Sequence, residues 1–132
     1  MQLRRQNAFT LVEIMIVVAI IALLAAIAVP GFLRARKRSQ AATIMNDLRL
    51  IDSALDQYAI ETNKLSGASV APSDWAIYLN NKGSKLTSTQ ADVFGNSYGI
   101  QTVDSLPKVP ASSWAALSDV ADTTYWSPFG HY

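Results

Sequence analysis

Residues 9–29 read FTLVEIMIVVAIIALLAAIAV, and 19 of these 21 positions are apolar. At a rise of 1.5 Å per residue, a helix of this length spans about 31 Å, which matches the hydrocarbon core of a bilayer. The interruptions are Thr10 and Glu13, and the first glycine or proline is the pair Pro30 and Gly31. The stretch therefore predicts a membrane-spanning helix, with a kink or local unwinding where Pro30 removes a backbone donor and Gly31 loosens the chain.

The composition divides the chain into two parts of opposite charge. Its 132 residues amount to about one domain. Residues 1–38 carry six Lys or Arg against one acid, a net charge of +5, whereas residues 39–132 carry five against nine, a net charge of −4. An apolar rod followed by a slightly acidic globular part excludes a plain cytosolic enzyme and a polytopic transporter, and the negative charge of the second part gives nucleic-acid binding no support.

The side chains that most catalytic and metal sites need are nearly absent. Cysteine does not occur, which excludes disulfides, cysteine-ligated metals and thiol catalysis. The single histidine, His131, stands next to the last residue, where we expect a solvated tail side chain. We therefore predict no enzymatic activity and no resident cofactor.

Glu13 is the one charged residue inside the apolar stretch. An unpaired carboxylate within a membrane costs several kcal/mol. Either Glu13 lies near the interface, where water reaches it, or it has a specific cationic partner. We favour the partner, because ionisable residues inside membranes usually serve a function.

The residues around this carboxylate carry a family resemblance. A short basic leader, Ala8 and the sequence Phe-Thr-Leu-Val-Glu-Ile at residues 9–14 closely resemble the processing site of type IV prepilins and type II secretion pseudopilins, and the resemblance extends over residues 4–38. It implies that a prepilin peptidase cuts between Ala8 and Phe9 and methylates the new amino terminus of Phe9. The family usually has Gly before the cut, and because Ala is its smallest replacement we expect processing to survive.

The same resemblance implies a role and a set of partners. It implies that Glu13 neutralises the Phe9 amine of a neighbouring subunit, while the apolar helices pack into a filament core. We therefore expect a structural subunit of a type IV pilus-like filament, and small size and lack of cysteine favour a type II secretion pseudopilin over a pilus subunit. Expected partners are further copies of the chain, the prepilin peptidase, an inner-membrane assembly platform, minor pilin-like subunits and the lipid bilayer. The expected location is the bacterial inner membrane, crossed once, with the C-terminal part extracytoplasmic.

Three alternatives stay open. Residues 26–28, Ala-Ile-Ala, have the small-x-small form of a signal-peptidase site, although the apolar run is longer than that of a signal peptide and contains Glu13. The positive-inside rule would place the basic residues within 34–38 in the cytoplasm, which is opposite to the topology that the resemblance implies. Alternatively, these residues contact lipid headgroups. The chain could also be a membrane-anchored extracytoplasmic binding module that does not polymerise.

An apolar stripe at helical spacing follows the membrane segment. Apolar residues recur in steps of three and four between positions 39 and 61, as in a helix that lies on a core. The stripe consists of Ala41, Ile44, Leu48, Ile51, Leu55 and Tyr58. No helix breaker occurs between Phe32 and Asn63, so we predict one long helix of about 50 residues.

The predicted fold is α+β, a pilin-like roll. The membrane-spanning half of the long N-terminal helix continues into an amphipathic half, which packs on a small antiparallel sheet of two to four strands. We divide the chain into a leader (residues 1–8), an apolar assembly helix that ends in a basic collar (residues 9–38) and a globular domain (residues 39–132). The basic collar consists of Arg34, Arg36, Lys37 and Arg38.

Residues 64–132 are rich in turns. A loop motif at residues 92–98 is similar to the Asp-x-aromatic-Gly-Asn-x-Tyr motif of major pseudopilins, and an alternating pattern predicts a strand that continues through Val103. The motif residues are Asp92, Phe94, Gly95, Asn96 and Tyr98. We also predict a helix over 74–81 capped by Ser73 and stopped by Gly83, a helix over 113–120 capped by Ser112, and a last strand over 123–126.

The sequence offers candidate ligands for calcium and a candidate aromatic platform for a sugar, but in both cases we favour a structural role for these residues. Calcium ligands could come from Asp104, Asp119 and Asp122, but no Asp-x-Asp-x-Asp-Gly spacing occurs, and we favour solvated or capping acids. An aromatic platform for a sugar is possible, but we favour packing into a small core. Its members would be Trp75, Trp114, Trp126 and Tyr132.

Overall fold

A computed structural model describes residues 7–79 and 84–132. Its first element, helix α1 (Leu11–Thr62), contains 52 residues and continues through Pro30. The helix ends where Asn63 adopts a left-handed backbone conformation with φ of 52°, which asparagine tolerates better than most residues. The prediction of one long helix is confirmed.

The chain forms two compact units, Met1–Ala35 and Arg36–Tyr132. In the second unit, α1 supplies one side of the core, because its apolar stripe is covered by the segments that follow it. The buried residues of α1 are Ala41, Ile44, Met45, Leu48, Ile51, Ala54 and Leu55. Tyr58 is half-buried against the same core. The predicted core-facing stripe is confirmed.

Short elements complete the second unit within the described residues. They are β1 (Ser69–Val70), α2 (Pro72–Ala76), α3 (Lys85–Thr89), β2 (Gln101–Thr102), α4 (Ala111–Leu117) and α5 (Thr123–Trp126). Strands β1 and β2 pair antiparallel, with Ser69 opposite Thr102 and Val70 opposite Gln101. The α+β prediction is confirmed, and the sheet has the smallest number of strands that we expected.

Two predicted helix caps are wrong. Helix α2 begins at Pro72 and has no side-chain cap, so Ser73 lies within its first turn; proline suits the first helical position because its φ is already helical. The helix ends at Ala76 rather than near position 81, and the predicted stop at Gly83 lies outside the described residues. Helix α4 begins directly after Pro110, so Ser112 also lies inside the first turn and does not cap.

The predicted last strand is also wrong, because Thr123–Trp126 forms helix α5. Asp122 caps this helix: its carboxylate accepts a hydrogen bond from the backbone N–H of Tyr125 at 2.9 Å. The indole of Trp126 is fully buried and donates to the carbonyl of Ala121 at 3.2 Å. A local cap and a buried ring outweigh the strand preference of Thr, Tyr and Trp.

The aromatic side chains mostly fill the core, as predicted. Trp75 and Trp126 are fully buried, whereas Tyr132 is exposed. Trp114 is half-buried, and its ring stacks on that of His131 with centroids 4.0 Å apart. His131 is exposed, as expected, but the segment that carries it is held in place, because the N–H of Val109 donates to the carbonyl of Gly130 at 2.9 Å.

Candidate functional site

The start of α1 is closed by a reciprocal pair of side chains, Thr10 and Glu13. The Glu13 carboxylate accepts hydrogen bonds from the Thr10 backbone N–H at 2.7 Å and from its hydroxyl at 3.0 Å. The Thr10 hydroxyl in turn accepts from the Glu13 N–H at 3.3 Å. This arrangement is a capping box, in which two helix-end donors that lack intrahelical partners are satisfied.

Thr10 was not among the predicted site residues. Its signal was present in the spacing Thr-x-x-Glu directly before an apolar run, which is typical of a helix start. Within one chain, the carboxylate of Glu13 is therefore held at the first turn of α1. The pairing of Glu13 with the Phe9 amine of a neighbouring subunit stays a prediction.

Ala8 and Phe9 precede the first helical residue, Leu11, and both are exposed. A peptidase needs an accessible and extended peptide bond, and the bond between Ala8 and Phe9 lies outside the regular hydrogen bonding of the helix. This geometry is compatible with cleavage at that bond, which remains a prediction.

The apolar side chains of the first unit find no cover within it. Every residue of α1 from Leu11 to Ala35 is exposed, and Phe9 just before it is 82% exposed. By length and composition, α1 is the one helix among the described residues that is long and apolar enough to cross a membrane. A continuous exposed apolar surface of this kind marks contact with lipid or with other protein surfaces.

Pro30 and Gly31 both lie inside α1. A Cβ atom added at Gly31 would meet no atom within 4 Å, so packing within the chain does not require glycine there. The predicted kink or unwinding at this pair stays a prediction.

The loop motif is organised by the buried carboxylate of Asp92. One carboxylate oxygen accepts from the backbone N–H groups of Phe94 and Asn96, each at 2.9 Å, and the other accepts from the hydroxyl of Ser113. The turn also needs Gly95, whose φ of 89° is costly for residues with a side chain. Phe94 is held at the turn with 40% of its surface exposed.

Ser113 is a second residue that the sequence analysis missed. It is fully buried on α4, and its hydroxyl accepts from the side-chain amide of Asn96 at 2.8 Å while it donates to Asp92. A serine in a helix has no sequence signal for such a role, because its partners lie 17 and 21 positions away. The contact joins α4 to the loop motif.

Tyr98 joins the loop motif to α1. Its ring is fully buried, and its hydroxyl donates to the carboxylate of Asp47 at 3.1 Å. Burial raises the pKa of Asp47 to about 6, the hydrogen bond from Tyr98 opposes that rise, and the negative charge of Asp92 adds to it. Burial and the charge of Asp47 raise the pKa of Tyr98 far above its ordinary value, so the phenol stays protonated and can donate.

One residue of the basic collar is engaged within its own chain. The ammonium of Lys37 lies 2.9 Å from both carboxylate oxygens of Asp119, in a pair that is about half exposed. Arg34, Arg36 and Arg38 form no ion pair within the described residues. The collar thus contains one tethered cation and three exposed guanidinium groups.

The three aspartates considered as calcium ligands have separate surroundings. Asp119 contacts Lys37, Asp122 caps α5, and Asp104 occupies a left-handed turn position with φ of 61°. Within residues 7–79 and 84–132, no group of three or more acidic, His or Cys side chains is placed to hold a metal ion. The capping interpretation is confirmed for Asp122.

Parts of the chain are similar to proteins of known families. The prokaryotic N-terminal methylation motif matches residues 3–29. The type II secretion system core protein G of Aeromonas hydrophila is 34% identical over 64 residues, which is 48% of this chain and 45% of that protein, so this match spans less than half of the relative. The type IV major pilin protein PilA of Myxococcus xanthus is 40% identical over 62 residues, 47% of this chain and 28% of that protein.

A longer match decides the family. The type II secretion system core protein G of Pseudomonas aeruginosa is 31% identical over 111 residues, which cover 74% of this chain and 75% of that protein. No solved structure matches the chain. Because this match covers about three quarters of both chains at more than 30% identity, the chain belongs to the family of the type II secretion system core protein G.

Proposed function

We propose that this protein is the structural subunit of a type II secretion pseudopilus, which polymerises through the apolar half of α1 after its leader is removed. The observation that carries the proposal is the uncovered apolar surface of the first unit, joined by one helix to a unit with its own core. In a membrane, lipid covers such an apolar surface, and in a filament, neighbouring identical helices cover it instead. We assign the protein no catalytic role.

The proposed processing step is cleavage between Ala8 and Phe9 followed by methylation of the Phe9 amine. Family membership and the accessible bond at this position support it. The first experiment is an intact-mass measurement of the protein from its native membrane. We expect a chain that begins at methylated Phe9, and a start at Val29 or at Met1 contradicts the proposal.

Ala8 gives this experiment matched variants. Ala8→Gly restores the residue that the family usually has, and we expect processing at least as fast as in the parent. Ala8→Leu places a bulky side chain before the cut, and we expect the uncleaved form to accumulate. Equal processing of both variants argues against a small-residue site at this bond.

The proposed assembly contact joins Glu13 of one subunit to the Phe9 amine of the next. In the single chain, the Glu13 carboxylate is already satisfied by Thr10. An incoming amine must therefore share that carboxylate with the capping box, and a carboxylate has enough lone pairs to accept from both. The contact removes two unpaired charges from a medium of low dielectric and sets the axial offset of neighbouring helices.

Glu13→Gln separates the two roles of this residue. Glutamine can still accept from Thr10 in a capping box but carries no charge. We expect α1 to begin at the same residue and filament yield, measured by sedimentation after shearing, to fall strongly. Normal filaments from the Gln variant contradict an ionic contact, and failure of the parent protein to form any sedimentable filament favours the anchored binding module instead.

We further propose a single-pass location in the bacterial inner membrane, with residues 39–132 outside the cytoplasm. The remaining proposed partners are the prepilin peptidase, the inner-membrane assembly platform and minor pilin-like subunits. Protease added to intact spheroplasts tests this topology, because it should digest the globular domain from outside. Full protection of that domain contradicts the proposed orientation.

A further inference from the structure

The contact between Asp47 and Tyr98 has a property that filament assembly alone does not explain. Asp47 lies on α1, and only part of its carboxylate reaches water, while the phenol that donates to it is fully buried. Asp47 forms no ion pair within the described part of the chain. A half-buried carboxylate without a cationic partner is destabilised in its charged form.

The groups that face Asp47 act on its charged form in opposite directions. From the loop motif, Tyr98 stabilises the charged form with one hydrogen bond, and the buried Asp92 opposes it with a second negative charge. Along α1, the nearest charged residues are Arg49 and Asp52, and neither forms an ion pair with Asp47. With the loop on the helix, Asp47 therefore keeps its proton up to a higher pH than a solvated aspartate does.

We propose that Asp47 and Tyr98 form a proton-sensitive latch, which holds residues 92–98 on α1 more firmly in mildly acidic than in neutral solution. When the loop lifts away, Asp47 becomes solvated and its pKa returns toward the ordinary value of 3.8. The closed form therefore binds the proton more tightly than the open form. Closure gains stability as the pH falls through about 6, and the gain is complete below about 4.

The latch acts on a segment with an exposed aromatic side chain. Asp92 and Gly95 fix the turn, whereas Tyr98 is its hydrogen-bonded contact with α1. Protonation of Asp47 therefore changes how stably the turn that carries Phe94 is held on α1. It does not change the conformation of the turn itself. The proposal does not depend on polymerisation, so it can be tested on the full chain in detergent micelles.

The test is amide hydrogen exchange of residues 94, 96 and 98, converted to protection factors at pH 7.5 and pH 5.5. We expect protection in the parent protein to rise roughly fourfold at the lower pH, because a carboxyl group whose pKa is about 6 in the closed form and 3.8 in the open form is only partly protonated at pH 5.5. Asp47→Asn should remove this rise. Asp52→Asn is the matched control, because Asp52 is a half-buried aspartate on the same helix without a hydrogen bond to the loop, and it should preserve the rise.

A second measurement keeps the proposal testable if Asp47→Asn does not fold. The carbon-13 shift of the Asp47 carboxyl group in the parent chain should titrate with a midpoint near 6. Tyr98→Phe retains the ring but removes the donor that stabilises the charged form, so it should move this midpoint upward. A parent midpoint below 5, or loop protection that is equal or lower at pH 5.5, overturns the latch.

Discussion

At Asp92, one buried carboxylate satisfies donors from two parts of the chain. Two are backbone N–H groups of its own turn, and the third is the hydroxyl of Ser113 on α4. Removing any one donor leaves part of a charge buried without compensation, which costs more than the hydrogen bond itself contributes. The conformation of the loop at residues 92–98 therefore depends on the packing of α4, which lies later in the sequence.

Ser113→Ala tests this link. The variant deprives both Asp92 and Asn96 of a side-chain partner, so we expect the free energy of unfolding to fall by about 1–3 kcal/mol. Thermal unfolding followed by near-ultraviolet circular dichroism measures the loss. The neighbouring exposed Ser112→Ala is the control, and equal effects of the two variants would contradict a specific role for Ser113.

Thr10 supports a second prediction at this scale. Thr10→Ala removes the hydroxyl that accepts from the Glu13 N–H, so we expect faster amide exchange in the first turn of α1 in micelles. Thr10→Ser keeps the hydroxyl and should exchange like the parent. If the Ala and Ser variants exchange alike, the capping box does not stabilise the start of the helix.

These residues mark the limit of sequence-based inference for single side chains. The capping box of Thr10 and Glu13 could have been predicted, because the spacing Thr-x-x-Glu is a local sequence pattern. Only the charge of Glu13 was interpreted. Ser113 could not have been found, because a buried serine on a helix gains meaning from partners that only the tertiary fold supplies.

At the scale of elements, the ion pair between Lys37 and Asp119 changes the interpretation of the basic collar. Half-exposed pairs contribute only about 0–1 kcal/mol, yet this pair engages within one chain a cation that is then not free to contact a neighbouring subunit. Substituting Lys37 by an acid would place two carboxylates against each other within one chain. The collar residues that remain for such contacts are Arg34, Arg36 and Arg38.

A charge-reversal experiment follows from this division. Asp52 and Asp56 lie on α1, where Asp52 is half-buried and Asp56 is exposed. We infer that axial staggering of subunits brings these acids near the basic collar of a neighbour. We therefore expect their joint reversal to Lys to lower filament yield without unfolding the subunit, because it replaces a salt-sensitive attraction by a repulsion. Filament yield at low and high salt is the measurement.

Compensation decides whether the contact is direct. Reversal of Arg36 and Arg38 to Glu in the same chain should restore yield, and it leaves the pair between Lys37 and Asp119 intact. If the Asp52 and Asp56 reversals assemble normally at low salt, the collar serves lipid contact or membrane orientation instead.

Elements with strong local patterns were predictable, and those that depend on a single cap were not. The length and the apolar stripe of α1 follow from hydropathy and from a spacing of three to four residues. These patterns can be read without knowledge of the tertiary fold. Residues 123–126 contain side chains that favour strands, yet Asp122 and the buried indole of Trp126 turn them into a helix. Pro72 and Pro110 likewise set helix starts that we had assigned to serines.

At the scale of the whole molecule, the second unit contains the described core. We predict that a fragment of residues 36–132 folds as a soluble monomer and does not form filaments. It retains the complete buried stripe of α1. It also retains Lys37 and its ion pair with Asp119, whereas a fragment beginning at Ser39 would lack Lys37. Sedimentation-velocity analysis and a cooperative melt measure the outcome, and filaments from this fragment would show that the apolar half of α1 does not carry association.

The uncovered first unit also has an evolutionary consequence. None of the core residues of the described chain lies before Ala41, so substitutions in residues 11–33 leave the fold of the second unit untouched. We therefore expect selection on those positions to act through membrane insertion and assembly rather than through folding of the second unit. A saturation mutagenesis scored by folding of the second unit alone should tolerate most changes there, and the same library scored by secretion should reject many of them.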